Sequence, residues 1–377
     1  MLLFAPKETA PGENRVAITP DSAKRLAAVG IDAAIEAGAG LTADYPDKLY
    51  EDAGVRIFAD GAEGWAAADA VACVRPAAAE DAARMKAGSL LIGLLEPHGD
   101  TARVGGYAEA NVAAFSFEFV PRISRAQGMD ALSSQANLAG YASVILAAER
   151  FSRAFPMMVT AAGTVSPARV LILGAGVAGL QAIATARRLG AVVSAMDVRD
   201  AAREQVESLG AAFVTVEAEE KGEGTGGYAK EMSDDYKRRQ AAKLRETLSR
   251  TDICITTAQI PGRPAPVLLP SDMLSAMKPG SIVVDLAASS GGNCEVSKNG
   301  ETVDVGGVNV IGASDLPSAV AQDASNLYGR NVLNFLAPLM DADSKALKID
   351  WEDEIVAGAL LTRDGAIVHP SLKGENA

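Results

Sequence analysis

The stretch from Arg169 to Asp197 reads R-V-L-I-L-G-A-G-V-A-G-L-Q-A-I-A-T-A-R-R-L-G-A-V-V-S-A-M-D, and it constrains the fold more than any other. Arg169 to Leu173 is a short apolar run, the pattern of a strand buried on both faces. Gly174, Gly176 and Gly179 follow as G-x-G-x-x-G. The first glycine allows a tight turn, the second lets backbone approach a pyrophosphate, and the third lets the new helix lie close on the sheet. The helix start directs N–H groups and a partial positive charge at the phosphates. Ala191 to Met196 gives a second strand, and Asp197 ends it, 18 residues after the last glycine. A carboxylate placed there takes the hydroxyls of an adenosine ribose.

A lone G-x-G-x-x-G can also serve packing alone. Here the strand, the spacing, the second strand and its acidic end agree on a dinucleotide site. Its candidate lining is Gly174, Ala175, Gly176, Val177, Gly179, Asp197, Val198 and Arg199, with Ala258 at the end of a later strand. Asp197 favours NAD(H) over NADP(H), because a carboxylate repels a 2′-phosphate at short range. Arg199, two residues on, weakens that preference.

A chain of 377 residues exceeds one typical core and implies two domains. A net charge of −13 argues against nucleic acid as a partner. The three cysteines, Cys73, Cys254 and Cys294, are widely spaced, which suits a reducing compartment and offers neither a disulfide framework nor a metal pattern. Met1 leads into L-L-F-A-P with no basic or long apolar leader, so no signal peptide is expected. The longest uncharged stretch near the middle, Val170 to Ala186, contains the three glycines, so a soluble chain without membrane insertion is expected.

Short apolar strands alternate with helical patterns on both sides of the fingerprint. The N-terminal region predicts strands at 2–5, 31–36, 55–58, 70–74, 89–94 and 111–115, with Thr19 capping a helix that has Pro20 at its first position. Phe119 to Asp130 reads as an ordered polar loop, and Asp130 to Phe151 as one long helix. Further strands at 213–216, 253–257, 281–286 and 308–312 complete a six-stranded doubly wound sheet, and a second long helix spans about 318–335. The fold class is therefore α/β, with two Rossmann-like doubly wound parallel sheets joined by two long helices. The expected domains are residues 1–132 with 336–377, and residues 133–335. Glu217 to Lys237 is polar and glycine-rich, and reads either as a solvated insertion or as a mobile lid with Tyr228 at its tip.

E-N-R-V-A-I-T-P (Glu13–Pro20), together with the fingerprint, resembles the superfamily of alanine dehydrogenases and proton-translocating nicotinamide nucleotide transhydrogenases. R-I-S-R-A-Q-G-M-D-A-L-S-S-Q (Arg122–Gln135), L-A-G-Y and G-T-G-G-Y-A-K-E-M resemble the NAD(H)-binding component of the transhydrogenase. The resemblance implies a homodimer that docks on an NADP(H)-binding component and a membrane-spanning component. It also implies a cytoplasmic location, peripheral on the inner membrane through those partners. Carried over by residue, it implies that Arg122 and Asp130 hold the nicotinamide carboxamide. Gln127 reaches the ribose of the partner's NADP(H), Ser133 adds a nicotinamide-side hydrogen bond, and Tyr228 is the lid tyrosine. A plain structural ion pair between Arg122 and Asp130 is the alternative.

Alanine dehydrogenases need an arginine, a lysine, a histidine and an aspartate to hold an amino acid and move its protons. Arg15 is present, but Arg75 stands at the lysine position, L-L-I-G-L-L-E-P holds no histidine, and Ser289 replaces the aspartate. His98 and His369 read as loop and tail residues without catalytic partners. Hydride transfer between two nicotinamides requires no general acid or base, only alignment and exclusion of water. The sequence thus points to reversible transfer between NADH and NADP⁺ on a partner. An amino-acid dehydrogenase and a non-catalytic NAD(H) sensor are the alternatives.

Overall fold

Six apolar runs of three to five residues form the parallel strands of the first sheet: β1 (Leu2–Ala5), β2 (Asp32–Glu36), β3 (Arg56–Phe58), β4 (Ala70–Cys73), β5 (Leu90–Gly93) and β6 (Ala113–Ser116). In this computed structural model they lie in the order β3-β2-β1-β4-β5-β6. Adjacent Leu3 and Phe4 enter different apolar clusters, one on each face of the sheet, so burial on both sides explains the unbroken apolar runs. Thr19 caps the helix Pro20–Ala28 through a reciprocal bond with Ser22, as the Thr-Pro start requires. The structure describes residues 1–199, 201–215, 233–260 and 262–373.

The helix Ala131–Arg150 ends in the second unit, which opens with a hairpin of β7 (Met158–Thr160) and β8 (Gly163–Val165), every residue of which is exposed. Then come β9 (Arg169–Leu173), β10 (Val192–Met196), β11 (Ala212–Phe213), β12 (Ile253–Thr256), β13 (Ile282–Asp285), β14 (Thr302–Val305) and β15 (Val308–Gly312). Their order is β11-β10-β9-β12-β13-β15-β14. The sheet has seven strands rather than the expected six, because β14 adds an antiparallel edge to β15. Chain order reverses at β9, whose neighbours are β10 and β12, and such a switch point opens a crevice at the carboxyl ends of the strands. Val170 and Ile172 enter one cluster, Leu171 and Leu173 another, so this sheet too is covered on both faces.

The chain returns to the first unit through the helix Ala321–Leu336, preceded by a 3₁₀ turn over Leu316–Val320. Tyr328, Val332, Phe335 and Leu336 join the core that contains Leu3, Ile35 and Ile92. The tail adds β16 (Leu360–Arg363), antiparallel to β6, and β17 (Ala366–Ile367). Two units result, Met1–Gln135 with Pro317–Ala377, and Ala136–Leu316. The helix expected at 318–335 thus belongs with the N-terminal sheet rather than with the fingerprint, because its apolar side chains pack there. Among the described residues no helix is long and apolar enough to cross a membrane.

Candidate functional site

Register brings the fingerprint residues of the second unit to one sheet edge. Leu173 pairs with Met196 on β10 and with Thr256 on β12, and Thr256 pairs with Asp285. The turns after these strands therefore start level with one another, and they carry Gly174, Asp197 and Ala258. Gly174 has φ +98°, a left-handed value that favours glycine. A Cβ on Gly179 would lie 1.9 Å from the Gly174 carbonyl oxygen, so only glycine lets the helix Val177–Arg188 sit this close. Gly140 plays the same role from the other side, its Cβ position being 2.1 Å from the Ala178 carbonyl oxygen.

Gly176 is different. It is the N-cap of the helix with no side-chain cap, and a Cβ built on it meets nothing within 4 Å. The backbone at the helix start thus leaves room for a phosphate, whose approach to the first turn no Cβ blocks. Ala175 is buried in the turn, while Val177 is exposed at the helix start.

Asp197 is tied into that turn. Its Oδ2 accepts from the Ala175 N–H at 2.7 Å, and its Oδ1 from the Arg199 N–H at 2.9 Å. The Arg199 guanidinium grips it as a fork, Nε to Oδ1 at 2.9 Å and Nη2 to Oδ2 at 2.8 Å. Burial works against the Asp197 charge, but these hydrogen bonds prevail and hold its carboxyl below the usual range. Val198, between them, is half-buried. Ala258 is clamped by Asn293, which accepts from its N–H at 2.9 Å and donates to its carbonyl at 2.8 Å. Thr257 donates to the Gly174 carbonyl at 2.9 Å. The sequence reading missed Asn293 and Thr257, although T-T-A-Q directly after an apolar strand marked the place. Tyr228 lies outside the described residues.

The loop Phe119–Asp130 of the first unit holds a 3₁₀ turn, Ser124–Met129. Arg122 and Gln127 are exposed on it. Asp130 caps the helix Ala131–Arg150, its Oδ1 accepting from the Ser133 N–H at 2.8 Å and its Oδ2 from the Ser133 hydroxyl at 2.5 Å. Gly128 is held from behind, its carbonyl accepting from Asn331 Nδ2 at 2.9 Å and Asn334 Nδ2 at 2.8 Å.

A buried charge network lies elsewhere in the same unit. Arg15 forks onto Glu13, Nε to Oε1 at 2.7 Å and Nη2 to Oε2 at 2.5 Å, while its Nη1 donates to Gln135 at 2.9 Å. Arg75 Nε and the Ser318 hydroxyl also donate to Glu13, at 2.9 and 2.7 Å. Arg15, and Arg75 at the position of the dehydrogenase lysine, thus both pair with Glu13, Arg75 reaching Glu96 as well at 3.3 Å. Burial opposes the Glu13 charge, yet the Arg15 fork holds its carboxyl down at about 2. The Glu8 carboxyl is pushed up to about 7 by burial, against the hydrogen bond from the Val74 N–H.

Two sheets whose parallel strands run in the order 3-2-1-4-5-6, one with a glycine fingerprint ending in an acidic residue, define a two-domain nucleotide-binding protein. Family profiles described as "Alanine dehydrogenase/PNT, N-terminal domain" and "Alanine dehydrogenase/PNT, C-terminal domain" match residues 4–139 and 143–370, and the chain belongs to that family. Within it the chain stands with the transhydrogenase alpha subunits. It is 51% identical to an NAD(P) transhydrogenase alpha-subunit chain of Rhodospirillum rubrum, over 100% of both chains. A transhydrogenase crystal structure from Sinorhizobium meliloti superimposes with a TM-score of 0.86 at 44% identity, covering 98% of this chain and 100% of that one. An alanine dehydrogenase of Halomonas elongata is 30% identical over 98% of this chain and 95% of its own.

Proposed function

We propose that this chain is the NAD(H)-holding component of a proton-translocating transhydrogenase. It presents NADH for reversible hydride transfer to NADP⁺ carried by a separate component, while a membrane-spanning component couples the transfer to proton movement. The observation that carries this reading is the uncapped helix start at Gly176, open to a phosphate and backed by the Asp197 carboxylate. The transhydrogenase names of its relatives support it.

In this reading the pyrophosphate rests on the turn Gly174–Val177, and Asp197 receives the adenosine ribose. Arg122 and Asp130 orient the nicotinamide carboxamide. Asp130 does so partly by fixing the Ser133 hydroxyl, whose oxygen still accepts a hydrogen bond. Gln127, exposed on its turn, reaches the partner's NADP(H). Bound NAD(H) supplies the hydride, and the chain's residues need only align it and exclude water. The chain acts as a homodimer at the cytoplasmic face of the inner membrane, held there by its partners. Exposed Met157, Met158, Val159 and Val165 on the hairpin offer apolar surface for self-association.

The test is a titration with NADH followed by mixing with an NADP(H)-loaded partner component. NADH binding and hydride exchange are expected, with no NADH formed from NAD⁺ and alanine. Alanine-dependent NADH production would replace this reading with amino-acid dehydrogenation. NADH binding without exchange would leave a sensor.

A further inference from the structure

We propose that His98 and His369 form a proton-sensitive clamp on Phe119, and that acid loosens it, freeing the root of the loop that carries Arg122 and Gln127. The link to hydride transfer rests on the function proposed above; the clamp itself does not.

These are the chain's only two histidines, and both meet the same ring. The His369 imidazole lies flat on Phe119, with 4.0 Å between centroids and 5° between planes. His98 stands across it, 5.3 Å away at 86°. Phe119 opens the loop Phe119–Asp130, and the tail of the chain packs on that root. A Cβ on Gly358 would lie 3.5 Å from the Phe119 carbonyl oxygen and 3.4 Å from Pro121 Cδ, so the helix Glu354–Ala359 touches it there. Further along the loop, Arg125 pairs with Asp353 at 2.6 Å and Glu354 at 3.4 Å.

The His369 ring is built into this contact as a neutral group. Its Nδ1 caps the turn Pro370–Leu372, accepting from the Ser371 N–H at 3.3 Å. A backbone N–H can only donate, so a proton on Nδ1 breaks the cap. Burial holds this imidazole below its ordinary range; a hydrogen bond to the Gly358 backbone pulls the other way, and charge on His98 pushes down again. One imidazolium stacked on a phenyl ring gains a cation–π attraction. Here it would surrender the Ser371 cap and meet a second cation beside the same ring.

The other charged groups around the ring have their own partners. On the turn after β5, Glu96 pairs with Arg75 at 3.3 Å and Asp100 with Arg103 at 3.7 Å. The Glu118 carboxylate accepts from the Ser116 hydroxyl at 2.5 Å and the Leu95 N–H at 3.2 Å. Arg363 on β16 pairs with Asp364 at 3.0 Å, and Lys373 is exposed on the tail. Changing the histidines one at a time separates them from these groups.

With two histidines only, selectively labelled ring signals of the full chain can be followed by NMR from about pH 8 to about pH 5. The variant His98→Gln removes one charge, while His369→Asn removes the other and keeps an acceptor for the Ser371 N–H. In His98→Gln the His369 titration should move to higher pH. Amide exchange over residues 119–130, corrected for its intrinsic pH dependence, should be about 10-fold faster at pH 5.5 than at pH 7.5. In His369→Asn that rise should shrink to about 2-fold or less. With NADH and an NADP(H)-loaded partner component, hydride exchange should slow about 3- to 10-fold over the same range while NADH affinity holds. His98 is exposed, so His98→Gln carries the test if His369→Asn fails to fold.

Independent titration of the two rings, or equal loop protection at both pH values, overturns the clamp. So does greater protection in acid, since a stacked cation would then be tightening the contact. If the loop loosens in acid while hydride exchange keeps its rate, the clamp stands and its link to the proposed function falls.

Discussion

Asn331 donates from Nδ2 to the Gly128 carbonyl oxygen at 2.9 Å, bridging 203 residues of chain. Its Oδ1 accepts from the Ser134 hydroxyl at 2.7 Å, so one buried amide joins the turn that carries Gln127 to the helix that Asp130 caps. Removing it takes away two hydrogen bonds, leaving the Gly128 carbonyl to Asn334 and the Ser134 hydroxyl to the Ala131 carbonyl. Asn331→Ala should cost about 1–3 kcal/mol in denaturant unfolding. With a partner component, it should slow hydride transfer more than it weakens NADH binding. Equal effects on both would show that the turn and the nucleotide are not separable in this way.

The glycines of the fingerprint should respond in opposite ways to the same added methyl group. At Gly176 a Cβ enters open space and the backbone, with φ −77°, suits any residue. Gly176→Ala should fold with unchanged stability and lose NADH affinity by about 10-fold or more, since the methyl occupies the phosphate's approach. At Gly179 the Cβ would collide with backbone, so Gly179→Ala should lose about 1–3 kcal/mol of stability before binding is considered. Thermal unfolding with and without NADH separates the two. Stability loss in Gly176→Ala would mean that the open space is not there.

Much of this was readable in advance, for stated reasons. The run R-V-L-I-L and its glycines are local signals, and β9 falls on Arg169–Leu173 as expected. Strand β14 was missed although V-D-V-G-G-V-N-V holds a Gly-Gly hairpin turn; its half-exposed, polar face hid it. Likewise T-R-D-G-A-I contains the Asp-Gly turn between β16 and β17, with both residues at positive φ. Neither the Glu13–Ser318 bond nor the Asn331–Gly128 bond leaves a trace in spacing, because each joins segments far apart in the chain. The helix Ala321–Leu336 shows the same limit. Its periodicity reveals an apolar face but not which sheet receives it.

Glu8 gives the network a pH signature. Its folded carboxyl titrates near 7 against an ordinary 4.5, so the folded state holds a proton that the unfolded chain releases. Its contribution is complete below pH 4.5 and is lost as pH rises through 7, a swing of about 3 kcal/mol. Glu8→Gln keeps an acceptor for the Val74 N–H and carries no charge. The variant should therefore show a flatter stability profile between pH 4.5 and 7, and greater stability than the parent at pH 8. An unchanged slope would place that titration elsewhere.

Glu13 has the reverse sign, because its carboxyl is held at about 2 in the folded protein. Its contribution is present above pH 4.5 and fades as pH falls toward 2, again about 3 kcal/mol. Glu13→Gln removes the charge that Arg15 and Arg75 share and leaves the Arg15 guanidinium buried without its anion. The expected loss at pH 7 is about 3–5 kcal/mol, shrinking as acid neutralises the parent's own carboxylate. If Glu13 were instead a substrate-site group, the variant would keep its stability and alter turnover with a small carboxylate. Chemical unfolding at pH 7 and pH 4, run beside an assay with NAD⁺ and alanine, tells the two apart: the expected result is a large stability loss at pH 7 and no activity in either protein.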